Sequence, residues 1–278
     1  MRAMKHIDVG ESRDILLALY QDIRMMFKQF GYQQFAGSPA DDENKLIGEP
    51  QGITGILSQV WVLWEASSDH VLAAIKTLAE PVQTIAPFGC VRAAMEVAAR
   101  SCWILDPSID YKRRLARSFA LRRKGLDEYS KLMRENPQSA DERLQERYEY
   151  FKKKTIEYKL PKESLPSATE LICNIFGERS YYRIGSAVTH GQIWALTEVG
   201  FIQRNHDREN GFMYLHEAVK PNLLMYLIVL ALESLGRPAW ALASYMGMDR
   251  MTIANVFDKA YDELQMTRDR RFWLEQTG

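Results

Sequence analysis

The sequence predicts an all-α protein, a multi-helix bundle with at most a small hairpin near residues 198–215, and three observations carry that expectation. Apolar residues recur at three- and four-residue spacings along most of the 278 residues, the spacing that gathers one face of a helix. No alternation of strand-like and helix-like stretches suggests a parallel sheet, and glycine-rich phosphate loops are absent. Prolines and serine-x-x-glutamate pairs fall where the periodic stretches begin and end.

Taken in order, residues 12–35 place Ile15, Leu16, Leu19, Ile23, Met26, Phe27 and Phe30 on one helical face behind a Ser12 cap. Residues 36–52, with Gly37, Pro39, Gly48, Pro50 and Gly52 around Asp41-Asp42-Glu43, predict an exposed loop. Helices are then expected over 53–80, over 88–105 as far as Asp106-Pro107, and over 110–135 as far as Pro137. Ser139 with Glu142 and Ser167 with Glu170 have the capping-box spacing, so two more helices should begin near 140 and 168. Another is expected over 180–197, and a buried one from Pro221 to Leu235, ended by Gly236-Arg237-Pro238. A short helix over 239–246 and a last one over 252–273 complete the chain. The expected organisation is one helical domain over 1–278, with an N-terminal helix (1–35), the loop (36–52) and a main helical body (53–278).

Composition narrows the function classes. Thirty-six basic residues balance 36 acidic ones, so no global charge draws the protein to nucleic acid or to an anionic membrane. The three cysteines lack metal-ligand spacing, which fits a reducing compartment. The first twenty residues hold no apolar signal core, and the longest apolar run, 223–232, is half of what a membrane span needs. A cytoplasmic protein without membrane attachment, metal or cofactor is expected.

Three groups of residues could carry chemistry. Arg183 and His190 are seven residues apart on the expected 180–197 helix, about 20° apart around its axis and about 10 Å along it, with Ser186 between them and Gly185 and Gly191 alongside. Glycine costs about 1 kcal/mol inside a helix, which points to close approach of another backbone. Arg92, Glu96 and Arg100 form an i, i+4 row, in which Glu96 could orient His190 or Arg183, or which could simply be an ion-pair ladder. The basic run containing Arg113, Arg114, Arg117, Arg122 and Arg123 could contact RNA phosphates, or be neutralised by Glu142, Glu146 and Glu149. The tryptophans are read as core, with Trp61, Trp64 and Trp103 able to line an apolar pocket.

The phrase Arg183-Ile-Gly-Ser-Ala-Val-Thr-His190, an arginine, six residues and a histidine, resembles the signature of the HEPN superfamily. The stretch from Arg92 through Glu96 and Arg100 to Asp106-Pro107 is similar to a group of bacterial helical proteins with HEPN-like folds. The resemblance covers roughly residues 53–235, and the position after the arginine, polar in the superfamily's ribonucleases, is Ile184 here. It implies a helical homodimer and a metal-independent endoribonuclease. His190 would then move the proton of a ribose 2′-hydroxyl or of the leaving oxygen, and Arg183 would hold the phosphate. The alternative is a non-catalytic binding or interaction module for a nucleotide, a small molecule or a protein partner.

Overall fold

The structure of the chain is a computed structural model that describes residues 9–30, 35–47, 50–135, 143–207, 212–217 and 220–264. Among the described residues are eleven helices and one two-stranded antiparallel sheet, so the protein is an all-α multi-helix bundle carrying a hairpin. The helices are α1 (Val9–Phe30), α2 (Pro39–Ile47), α3 (Pro50–Lys76), α4 (Ala86–Ile104), α5 (Tyr111–Glu135), α6 (Arg143–Glu157), α7 (Ala168–Phe176), α8 (Arg179–Thr189), α9 (Ile193–Gly200), α10 (Pro221–Met246) and α11 (Arg250–Glu263). Strands β1 (Phe201–Asp207) and β2 (Phe212–Glu217) pair between α9 and α10, with a register shift between Gln203 and Asn205.

Three helices make the centre: α3, α4 and α10 pack on one another, and α5, α7 and α8 cover the remaining sides of α4. Ala94, Ala98 and Ala99 on α4 are wholly buried, and side chains this small let several neighbours approach one helix. Helix α1 lies between α3 and α11, where Phe27 meets Trp64 and Trp61 with ring centroids 4.6 and 5.8 Å apart. Trp64 and Trp103 are therefore core packing, and Trp61 packs partly buried against the same cluster. One contiguous apolar cluster runs from Leu16 to Leu264. The stretch Tyr226–Met246 is long and apolar enough to cross a membrane, but 83% of that window is buried inside the fold, as in a core helix.

Four expectations need correction. The stretch 36–52 is not an exposed loop: Pro39 opens α2, the Ser38 hydroxyl accepts from the Asp41 N–H at 3.1 Å, and Ala40 is fully buried. Proline at the first helical position and acids in the first turn are helix-start features as much as loop features. Ser12 does not cap α1; it is buried within it, three residues past its start. Helix α10 does not end at Gly236-Arg237-Pro238 but runs through Pro238 to Met246. The carbonyl left without its i+4 donor is that of Ser234, and the Ser67 hydroxyl of α3 donates to it at 2.9 Å. Finally, the helix expected over 180–197 is two helices, α8 and α9. The Ser139/Glu142 pair lies outside the described residues, whereas the Ser167/Glu170 capping box is formed in full.

Candidate functional site

Helix α8 lies antiparallel on α4. Near its start the Tyr182 hydroxyl donates to Glu96 Oε1 at 3.0 Å. In its middle, a Cβ on Gly185 would come 3.4 Å from Arg92 Cβ and 3.5 Å from the Phe88 carbonyl oxygen. At its end, Thr189 Oγ1 sits 3.7 Å from where a Gly89 Cβ would be. Tyr182, Gly185 and Thr189 thus form the face turned to α4, which is the close helix approach that Gly185 signalled.

Arg92 bridges Glu96 at 2.9 Å, with 21% of each side chain exposed, and its guanidinium lies over the Tyr182 ring, 5.6 Å from the centroid. Burial pushes the Tyr182 phenol above its ordinary pKa. Glu96 is therefore engaged by Arg92 and Tyr182 and orients neither Arg183 nor His190. The Arg92 Nε is buried without a hydrogen-bond partner. It borders an apolar crevice lined by Val91, Met95, Tyr181, Leu223 and Leu227, beside which Tyr181 stacks on Tyr226 at 3.6 Å. Arg100 is half-buried and makes no ion pair among the described residues.

Arg183 and His190 are both exposed. By helical position they lie within about 20° of one another, roughly 110–125° around α8 from the face that meets α4. Neither makes a side-chain hydrogen bond or ion pair among the described residues. Ser186, between them, is half-buried, and its carbonyl accepts the His190 N–H at 3.0 Å. The helix ends just here because Gly191 adopts φ +67°. The Gly191 N–H donates to the Val188 carbonyl at 3.0 Å and the Gln192 N–H to the Ala187 carbonyl at 2.9 Å, the paired bonds of a Schellman closure. His190 is the last residue before the turn, and the expectation of one continuous helix carrying both Arg183 and Trp194 is corrected. Trp194 belongs to α9, where its indole N–H donates to Gln192 Oε1 at 2.8 Å and the side chain is 57% exposed. Tyr182 and Trp194 are the site neighbours that the sequence did not single out in these roles. The glycine directly after Thr189-His190 was the available signal for the turn.

The basic run is largely spent inside the protein. Arg114 is 4% exposed, pairs with Glu43, and donates to the Asp106 carbonyl at 2.9 Å. Arg117 donates to the Trp103 carbonyl at 2.6 Å and to Asp106 Oδ2 at 3.1 Å. Arg122 donates to the Gly55 carbonyl, and Arg113 pairs with Glu163. Only Arg123 of the five makes no such bond among the described residues. Arg114 and Arg117 are too buried to meet a phosphate, and the acids that neutralise the run are Glu43, Asp106 and Glu163 rather than those of α6. Among the described residues no group of three or more His, Cys, Asp or Glu could hold a metal, and burial pushes the Cys102 thiol up to about 12. Comparison with protein-family models, curated proteins and solved structures finds no match to this chain.

Proposed function

We propose that the Arg183–His190 face is the working part of a HEPN-like, metal-independent endoribonuclease, acting in the cytoplasm as a homodimer. One observation carries the reading: these two side chains share an exposed stripe with no partner among the described residues, while the adjacent Arg92, Glu96 and Tyr182 are bound to one another. A purely structural arginine and histidine would be the ones with partners. His190 takes the proton of a ribose 2′-hydroxyl, the 2′-oxygen attacks phosphorus, and the 5′-oxygen leaves, giving a 2′,3′-cyclic phosphate; Arg183 holds the non-bridging oxygens as charge develops. The leaving oxygen needs a proton donor, and the same face of a second copy would supply it.

The test is cleavage of an end-labelled single-stranded RNA by the purified chain in excess chelator. A cyclic-phosphate product is expected, and His190→Ala should lower the rate at least about 100-fold, the scale of general acid–base catalysis. A folded His190→Ala protein that cleaves like wild type would remove the assignment. The apolar crevice beside Arg92 favours the second reading, a non-catalytic binding module, which takes over if the wild-type chain cleaves nothing.

A further inference from the structure

Four residues after His190, across the turn that ends α8, stands an exposed aromatic ring that the cleavage chemistry does not use. Trp194 is 57% and Ile193 73% exposed, and they open α9 immediately after the turn that carries His190. Single exposed apolar residues are ordinary, but this indole is also held in place. Its N–H donates to Gln192 Oε1 at 2.8 Å, and the Gln192 backbone is itself fixed to the end of α8 through the Ala187 carbonyl at 2.9 Å. The ring is thus tied at its polar edge to the same turn as His190, with much of the side chain left to solvent. A restrained ring loses little freedom when something stacks on it.

We propose that Trp194 is a stacking platform for one unpaired nucleobase next to the phosphate held at Arg183 and His190, so that the site takes single-stranded RNA and not duplex. The assignment deepens the ribonuclease reading and rests on it for the identity of the ligand. An exposed aromatic ring beside an unpaired cation is the combination that binds single strands, the ring taking a base face and the cation the backbone. Bases stacked within an A-form duplex have no free face to offer. A protein partner for the same apolar pair is the competing occupant.

The probe is a 2′-O-methyl hexauridylate, which lacks the attacking hydroxyl and so separates binding from cleavage. With the full chain in chelator, Trp194→Ala should raise the hexamer Kd about tenfold or more and remove part of the tryptophan quenching, while Trp194→Phe, which keeps a ring, stays within about threefold of wild type. A 2′-O-methyl duplex should bind both proteins equally, and more weakly than the hexamer binds wild type. The proposal is overturned if Trp194→Ala binds the hexamer as wild type does, or if the wild-type chain binds none. It is equally overturned if Trp194→Ala only changes the sedimenting mass, which would assign the patch to a protein contact. Trp194-dependent binding without any cleavage would sink the nuclease reading and leave the platform standing; cleavage indifferent to Trp194 would do the reverse.

Discussion

The Tyr182 hydroxyl donates to Glu96 Oε1 at 3.0 Å, and this bond helps to fix which face of α8 meets α4 and therefore which residues are left outside. With Tyr182 turned inward, its neighbour Arg183 and, two turns on, His190 are directed elsewhere. Tyr182→Phe keeps the ring under the Arg92 guanidinium and deletes only the hydrogen bond. It should cost about 1 kcal/mol, a fall in thermal midpoint of roughly 2–4 °C for a chain of this size. Calorimetry of the two proteins checks it, and an unchanged midpoint would mean that the bond does not hold α8 in place.

Arg183→Ala and His190→Ala should behave in the opposite way. Both side chains are exposed and make no polar contact among the described residues, so each change should alter stability by no more than about 0.5 kcal/mol. A midpoint several degrees lower in either variant would show that the side chain supports the fold, and the exposed stripe would lose its functional meaning.

Glu43 gives a pH prediction. It pairs with Arg114 and accepts from the Tyr245 hydroxyl at 2.7 Å. Burial raises its pKa above the ordinary carboxyl value, with the Arg114 charge opposing. A carboxyl whose folded pKa is raised contributes stability that is present below the unfolded pKa and is lost as pH rises through the folded value. Glu43→Gln does not titrate, so its stability relative to wild type should improve as pH climbs from below about 4.3 towards neutrality. Urea unfolding of both proteins across that window decides it; a relative stability that falls with rising pH would show that Arg114 outweighs the burial.

Where one helical period covers one helix, the fold was legible from sequence. Helices α4 and α5 lie within two residues of their expected bounds, and Ser167 with Glu170 marks the start of α7 with both reciprocal bonds formed. Legibility failed where one residue type serves two purposes. Pro39 among acids reads as a loop and is a helix start. Pro238 reads as a stop, yet the missing donor comes from another helix, which no local pattern reveals. Gly191 within an apolar-periodic stretch looks like a tolerated helix glycine but takes the left-handed conformation that ends α8. At the site, the seven-residue spacing did place Arg183 and His190 on one stripe. The partner of Glu96 was missed because Tyr182 lies 86 residues away in sequence. Which acids neutralise the basic run was not legible, because a side chain's burial depends on what packs over it: Glu43 and Tyr245 cover Arg114 from two distant segments.

The sharpest test of the fold concerns Ser67 and Pro238. Ser67 is fully buried, and its hydroxyl lies 2.9 Å from the Ser234 carbonyl and 3.2 Å from that of Ala94. It has one hydrogen to give. Ala94 sits inside α4 with a regular i+4 donor, whereas Ser234 has Pro238 at that position and receives none, so the shorter bond meets the greater need. Ser67→Ala should therefore strand a buried carbonyl and cost about 1–3 kcal/mol. Pro238→Ala returns an N–H to the Ser234 carbonyl. In that background the Ser67 hydroxyl is no longer required, and Ser67→Ala should cost less by roughly 1 kcal/mol, a coupling well above the few tenths expected of independent sites. Urea unfolding of wild type, the two single variants and the double variant closes the cycle. Equal costs of Ser67→Ala in both backgrounds would show that α10 passes Pro238 without help from α3, and another donor for the Ser234 carbonyl would have to be found.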